Sequence, residues 1–123
     1  MEQQTILIID DDARNIFALK LVLQSKGYSC ITATQAEEGI RLLKENNSIA
    51  IVLMDMMMPG IDGYQALSLI KNDADIGHIP IVAVTAQAMK GDKEKCLQAG
   101  AQAYVSKPIN VDELIVVISQ YLK

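Results

Sequence analysis

Tryptophan is absent from this chain, and phenylalanine and histidine occur once each, as Phe17 and His78. So few aromatics argue against a flavodoxin-type electron carrier, which packs its flavin against such rings, and no Ser/Thr-rich phosphate loop is present either. Beside Pro80, His78 reads as a solvated loop residue rather than a metal ligand or a phosphorelay histidine. The two cysteines, Cys30 and Cys96, fit no metal-binding or redox spacing and read as reduced thiols. No G-x-G-x-x-G or Walker lysine motif follows a strand, which removes dinucleotide and P-loop nucleotide binding. Basic residues are in the minority, with 11 Lys and Arg against 15 Asp and Glu, so the net charge of −4 offers no footprint for nucleic acid. No apolar run approaches the roughly 20 residues that span a bilayer. Met1–Thr5 lacks the basic start of a signal peptide, so the expected location is cytoplasmic, without membrane insertion.

What the chain does have is a repeating order. Half of its 123 residues are hydrophobic, enough for one domain with a substantial core, expected to span residues 1–123. Five short apolar runs alternate with helical segments. Their expected last residues, Ile9, Ala33, Met54, Val84 and Val105, are spaced by 24, 21, 30 and 21 residues. That spacing suits repeated strand–helix units and a parallel sheet, an α/β fold of the doubly wound type. Runs such as Ile49–Met54 do not alternate with polar residues, as strands covered on both faces should not. The second run, Tyr28–Ala33, is the least apolar and suits an edge.

Helix ends are marked as well. Thr34-Gln-Ala-Glu37 is a capping-box pattern, Asn110-Val-Asp-Glu113 is a close variant, and Asp62 could cap the third helix. Gly27 and Gly100 stand where C-terminal caps belong. Ile16, Leu19 and Leu23 share one face of the first helix, and Leu114, Val117, Ile118 and Tyr121 one face of the last. The fourth segment, Gln87 to Ala99, contains Gly91 and several charges, with Met89, Cys96 and Leu97 as its main apolar residues; a helix of low local stability is expected.

The chemistry sits at the strand ends. The first run leads into Asp10-Asp11-Asp12, the third into Asp55, the fourth into Thr85, and the fifth into Lys107-Pro108. A parallel sheet gathers such residues, because ligands bind beyond the carboxyl ends of its strands. Two carboxylates about 4 Å apart repel by roughly 4 kcal/mol at an effective dielectric of 20. Clustered acids therefore need raised pKa values or a cation. All-oxygen ligands favour Mg²⁺, or Mn²⁺ in its place, over zinc. With a metal present, one carboxylate could attack phosphorus and form an acyl phosphate. Asp55 is the best candidate because it stands alone on its strand, whereas the adjacent Asp10 and Asp11 look like metal ligands. Lys107 would offset charge on the phosphoryl oxygens, and Thr85 would donate a hydroxyl to one of them.

Four fragments, namely Asp10-Asp11, Asp55-Met-Met-Met58-Pro59-Gly-Ile-Asp62-Gly63, Val84-Thr85-Ala86 and Tyr104-Val-Ser-Lys107-Pro108, occur in this order and spacing. Through them the chain resembles a CheY-like receiver domain of two-component response regulators, over essentially its full length. The resemblance implies a flavodoxin-like three-layer α/β/α fold with strand order 2-1-3-4-5. It further implies that Asp55 is the phospho-acceptor and that Asp11 binds Mg²⁺ directly. Asp10 would act through a metal-bound water, and the backbone carbonyl of Met57 would be a third protein ligand. Thr85 and Tyr104 would form a switch pair, and Lys107–Pro108 would be a cis peptide.

The implied function is a phosphorylatable signalling switch rather than an enzyme in the ordinary sense. It would accept a phosphoryl group from a histidine kinase or histidine phosphotransfer domain, support its own phosphotransfer and autodephosphorylation, and change its binding to a downstream protein through the α4-β5-α5 face. No effector segment follows Lys123, so output by protein contact is expected, or else a module from a larger protein. The stretch Asp10–Leu19 also resembles receivers of hybrid histidine kinases. Met57 and Gln87 occupy positions that influence phosphoryl lifetime in that family, and Asp12, a third acid, reads as a helix cap. Tyr104 could instead be plain core filling. The Met54, Met56, Met57 and Met58 group reads as core and loop, since no Cys or His accompanies it.

Other classes fit less well. A dehalogenase-type aspartyl-phosphate hydrolase would carry D-x-D after its first strand, with a general acid two residues beyond the nucleophile; here position 57 is Met. An inactive relic of a receiver would not be expected to retain the full set of acids, hydroxyl and lysine.

Overall fold

The computed structural model describes residues 4–57, 63–85 and 92–122. Five strands alternate with five helices: β1 Thr5–Ile9, α1 Ala13–Ser25, β2 Ser29–Ala33, α2 Ala36–Glu45, β3 Ile49–Asp55, α3 Gly63–Lys71, β4 Ile81–Thr85, α4 Asp92–Gln98, β5 Ala103–Ser106 and α5 Val111–Tyr121. All strand pairs are parallel, in the order β2-β1-β3-β4-β5. This is the doubly wound, flavodoxin-like arrangement.

The continuous apolar runs are explained by burial on both sides. Along β1, Leu7 and Ile9 face a cluster built with Leu43 of α2 and Leu67 and Ile70 of α3. Ile6 and Ile8, pointing the other way, meet Ile16, Leu19 and Leu23 of α1 and Leu114 and Ile118 of α5. The period of two is present, but both phases are apolar because helices cover both faces. Each fully buried Leu or Ile contributes about 1.5–3 kcal/mol over an exposed one. β2 is half-buried and pairs only with β1, as an edge strand does.

Three strands run one residue further than their apolar content suggests. The ladder continues through the pairs Asp55↔Val84 and Thr85↔Ser106, so polar residues still take part in strand pairing. Asp55 and Thr85 are thus the last residues of β3 and β4, not the first beyond them.

Helix ends follow the sequence with one correction. The Asp12 carboxylate accepts from Arg14 N–H and caps α1, and the Asn110 side chain accepts from Glu113 N–H and caps α5. Gly27 and Gly100 have φ of +93° and +119°. At both, the paired backbone bonds of a Schellman turn close the helix: Gly27 N–H to Gln24 and Tyr28 N–H to Leu23, then Gly100 N–H to Leu97 and Ala101 N–H to Cys96. The Thr34–Glu37 capping box does not form. Gln35 is the N-cap and makes no side-chain cap bond; Glu38 instead accepts from Thr34 N–H at 3.2 Å. Helix α2 begins one residue later than the box requires, which carries the acid from Glu37 to Glu38.

Of the expected features, the Asp62 cap, the Met58–Asp62 part of the receiver-like fragment, Ala86, Gln87, Met89 and Gly91 lie outside the described residues. The described α4 is short, and between residues 93 and 98 only Cys96 is buried. Leu97, expected to contribute apolar packing, is exposed. His78 lies exposed in the α3–β4 connection, and Met54 and Met56 are core while Met57 is exposed. Lys107–Pro108 is cis.

Candidate functional site

The central strands β1 and β3 end side by side, with Ile9 opposite Met54, so Asp10 and Asp55 come together as the chain leaves the sheet. Both are almost fully buried, at 3% and 4% exposure, whereas Asp11 is exposed. One carboxylate oxygen from each of Asp10, Asp11 and Asp55 falls within a span of 4.8 Å. Each buried acid is held by a backbone amide two residues on. Asp10 Oδ1 accepts from Asp12 N–H at 2.9 Å, and Asp55 Oδ1 accepts from Met57 N–H at 3.0 Å. These bonds lock the carboxylates against rotation. Nothing in the residue types pointed to them, because any residue could supply the amide.

Lys107 enters from the far side of the sheet. Its backbone N–H bonds the Thr85 carbonyl at 2.8 Å, which continues the β4–β5 pairing past Ser106. From there its Nζ reaches between the two buried acids, 3.5 Å from Asp10 Oδ2 and 3.6 Å from Asp55 Oδ2. One ammonium thus serves two carboxylates, and a third lies beside them. Burial raises the Asp55 pKa above the usual carboxylate range, and the charge of Asp10 adds to it; the Met57 amide and Lys107 pull the other way. The cluster is short of positive charge. Its compact, all-oxygen donor set matches what a hard divalent cation requires.

Thr85 is 1% exposed at the end of β4. Tyr104 stands apart from the acids. It is half-buried on β5, opposite Ala83, and packs against the cluster beneath α3 and α4. The structure therefore brings Asp10, Asp11, Asp55 and Lys107 together, places Thr85 on the strand between Asp55 and Lys107, and sets Tyr104 two residues before Thr85's ladder partner, Ser106. Met57 contributes its amide, while its side chain is 48% exposed beside the site.

A feature not read from the sequence adjoins these residues. A groove of about 520 Å³ runs between α1 and the start of α5, from Asp10 and Lys107 to Leu19, Val22, Ile109 and Val111. Further round α1, Phe17 and Leu21 are 68% and 54% exposed.

Comparison with known proteins agrees with this geometry. Residues 6–119 match the family model described as the response regulator receiver domain. The chain is 35% identical over 119 residues to the polar-differentiation response regulator DivK of Brucella ovis, covering 97% of this chain and 96% of that protein. It is similar to the receiver domain of a sensor histidine kinase from Pseudomonas aeruginosa PAO1, solved with a magnesium ion coordinated in the active-site cleft. That similarity has a TM-score of 0.87 at 32% identity, over 97% of each chain. It is also similar to the receiver domain of a Saccharomyces cerevisiae response regulator co-crystallised with its histidine phosphotransfer protein. There the TM-score is 0.86 at 25% identity, over 98% of this chain and 89% of that one.

Proposed function

The chain belongs to the family of response regulator receiver domains, signalling modules of two-component systems, and from that premise we propose that Asp55 is its phospho-acceptor. The observation that carries this reading is the pair of buried carboxylates sharing Lys107, with Asp55 alone at the end of its strand. We read residues 1–123 as one such domain, acting in the cytoplasm.

In the proposed reaction, one oxygen of the ionised Asp55 carboxylate attacks the phosphorus of a phosphohistidine. A P–O bond forms as the P–N bond breaks, and the released electron pair stays on the imidazole, which takes up a proton. An ionised carboxylate needs no base. Lys107 neutralises charge on the phosphoryl oxygens, and the Thr85 hydroxyl donates to one of them. Asp10, Asp11 and Asp55, with the Met57 carbonyl, would hold Mg²⁺, for which Mn²⁺ would substitute. When bound, this ion supplies the positive charge the acid cluster lacks. The same residues would support autodephosphorylation, and the donor would be a histidine kinase or histidine phosphotransfer domain docking along α1. There Phe17, Leu21 and the adjoining groove offer apolar surface next to Asp10. Thr85 and Tyr104 would carry the change toward the α4-β5-α5 face, where a downstream protein would bind.

The test is intact mass after incubation with Mg²⁺ and acetyl phosphate. One added phosphoryl group, labile to hydroxylamine and absent from Asp55→Asn, is expected. Equal uptake by the Asp55→Asn protein would overturn the assignment.

A further inference from the structure

Tyr64, near the start of α3, has no part in the site chemistry, yet two side chains of α4 reach it. Cys96, the one buried side chain among residues 93–98, donates its S–H to the Tyr64 hydroxyl oxygen at 3.7 Å. The neighbouring Lys95 places its Nζ 4.4 Å from the centre of the Tyr64 ring. One tyrosine therefore receives two consecutive side chains of α4. Each contact is individually weak, the Cys96 one buried and the Lys95 one at the surface.

The same tyrosine is mechanically close to Asp55. The residue before it, Gly63, lies so near Met56 that a Cβ there would fall 2.5 Å from Met56 Cα and 2.6 Å from its Sδ. Met56 in turn follows Asp55 directly and donates its N–H to the Val84 carbonyl at 2.9 Å. The path Asp55–Met56, Gly63–Tyr64, Lys95–Cys96 thus runs from the acid site to α4 through α3. Close-packed contacts of this kind pass on a displacement instead of absorbing it. Met56 and Cys96 lie in one buried cluster, and Tyr64 and Tyr104 both pack against it.

We propose that Tyr64 is a latch that holds α4 in its resting position and that phosphorylation of Asp55 releases it. The release step rests on the reading of Asp55 as the acceptor. A phosphoryl group on Asp55 shifts Met56, and the shift reaches Tyr64 through Gly63. Loss of the two contacts on its ring and hydroxyl then loosens α4 around Lys95 and Cys96. This route through α3 is separate from the one through Thr85 and Tyr104.

Cys96 is its own reporter. In a Cys30→Ala background, alkylation by iodoacetamide followed by intact mass reads thiol exposure and phosphorylation in the same sample. After incubation with Mg²⁺ and acetyl phosphate, the phosphorylated molecules are expected to be alkylated more than about fivefold faster than the unphosphorylated ones beside them, since loss of one such contact alone brings a population change of about fivefold. Tyr64→Phe, which removes the hydroxyl contact and keeps the ring, should raise the rate about fivefold without phosphorylation and narrow the gap between phosphorylated and unphosphorylated rates by the same factor. Lys95→Met should fall between. Equal alkylation of phosphorylated and unphosphorylated molecules, or an unchanged rate in a folded Tyr64→Phe protein, overturns the latch. If no phosphoryl mass appears, the acceptor reading fails and takes the release step with it, while Tyr64→Phe still decides whether α4 is latched.

Discussion

Helices α1 and α4 lie against the same sheet but are anchored very differently. α1 buries Ile16, Leu19 and Leu23 and is closed at both ends, by the Asp12 cap and by the Gly27 turn. α4 buries only Cys96 among residues 93–98 and leaves Leu97 exposed. The difference follows the division of labour in a switch. The strongly packed side carries Asp10 beside Asp55, where the proposed phosphoryl chemistry would need a fixed geometry. The weakly packed side has less burial to lose on moving, as the proposed latch requires.

Lys107 joins the two halves, reaching from the β5 end to the acid just past β1 and the one ending β3. Replacing it with Met should slow uptake of a phosphoryl group from acetyl phosphate on the order of 100-fold, the usual size for removing one charge-stabilising donor. A rate within twofold of the parent would mean that this bridge does not contribute. The contrast in anchoring is sharpened by truncation. Leu23→Ala should cost about 3 kcal/mol in urea unfolding, whereas Cys96→Ala should cost about 1 kcal/mol. Equal losses would erase the distinction between the helices. Mg²⁺ at a hundred times its Kd should stabilise the parent by about 2.7 kcal/mol, read as a shift in Tm. Asp11→Ala should lose most of that shift; if it keeps all of it, Asp11 is not a ligand. An equally small effect concerns the cap of α5, where Asn110→Ala should cost about 1 kcal/mol. No change in its thermal melt would show that the bond to Glu113 N–H adds nothing.

Much of the molecule was legible before any coordinates. The order of elements, the double-sided burial of β1 and β3, the edge position of β2 and the helical turns at Gly27 and Gly100 all followed from local pattern. The Thr34 capping box did not form, because two adjacent acids, Glu37 and Glu38, allowed the helix to start one residue later. β3, β4 and β5 each extend one residue past their apolar runs, because a strand ends where its pairing ends and not where its apolar residues do.

The sequence by itself determined which residues could do chemistry: acids, a hydroxyl and a lysine at the ends of apolar runs, in the order of a receiver domain. That much depends on residue type and spacing, which are local. Tertiary structure alone decided which of them meet. Lys107 and Asp10 lie 97 residues apart and become partners only because the sheet order brings their strand ends within reach of one side chain. The amides of Asp12 and Met57 became hydrogen-bond donors to the two buried acids through the turns that follow their strands. The contact of Tyr64 with Lys95 and Cys96 likewise depends on how two helices settle on the same face of the sheet, and no spacing along the chain encodes that.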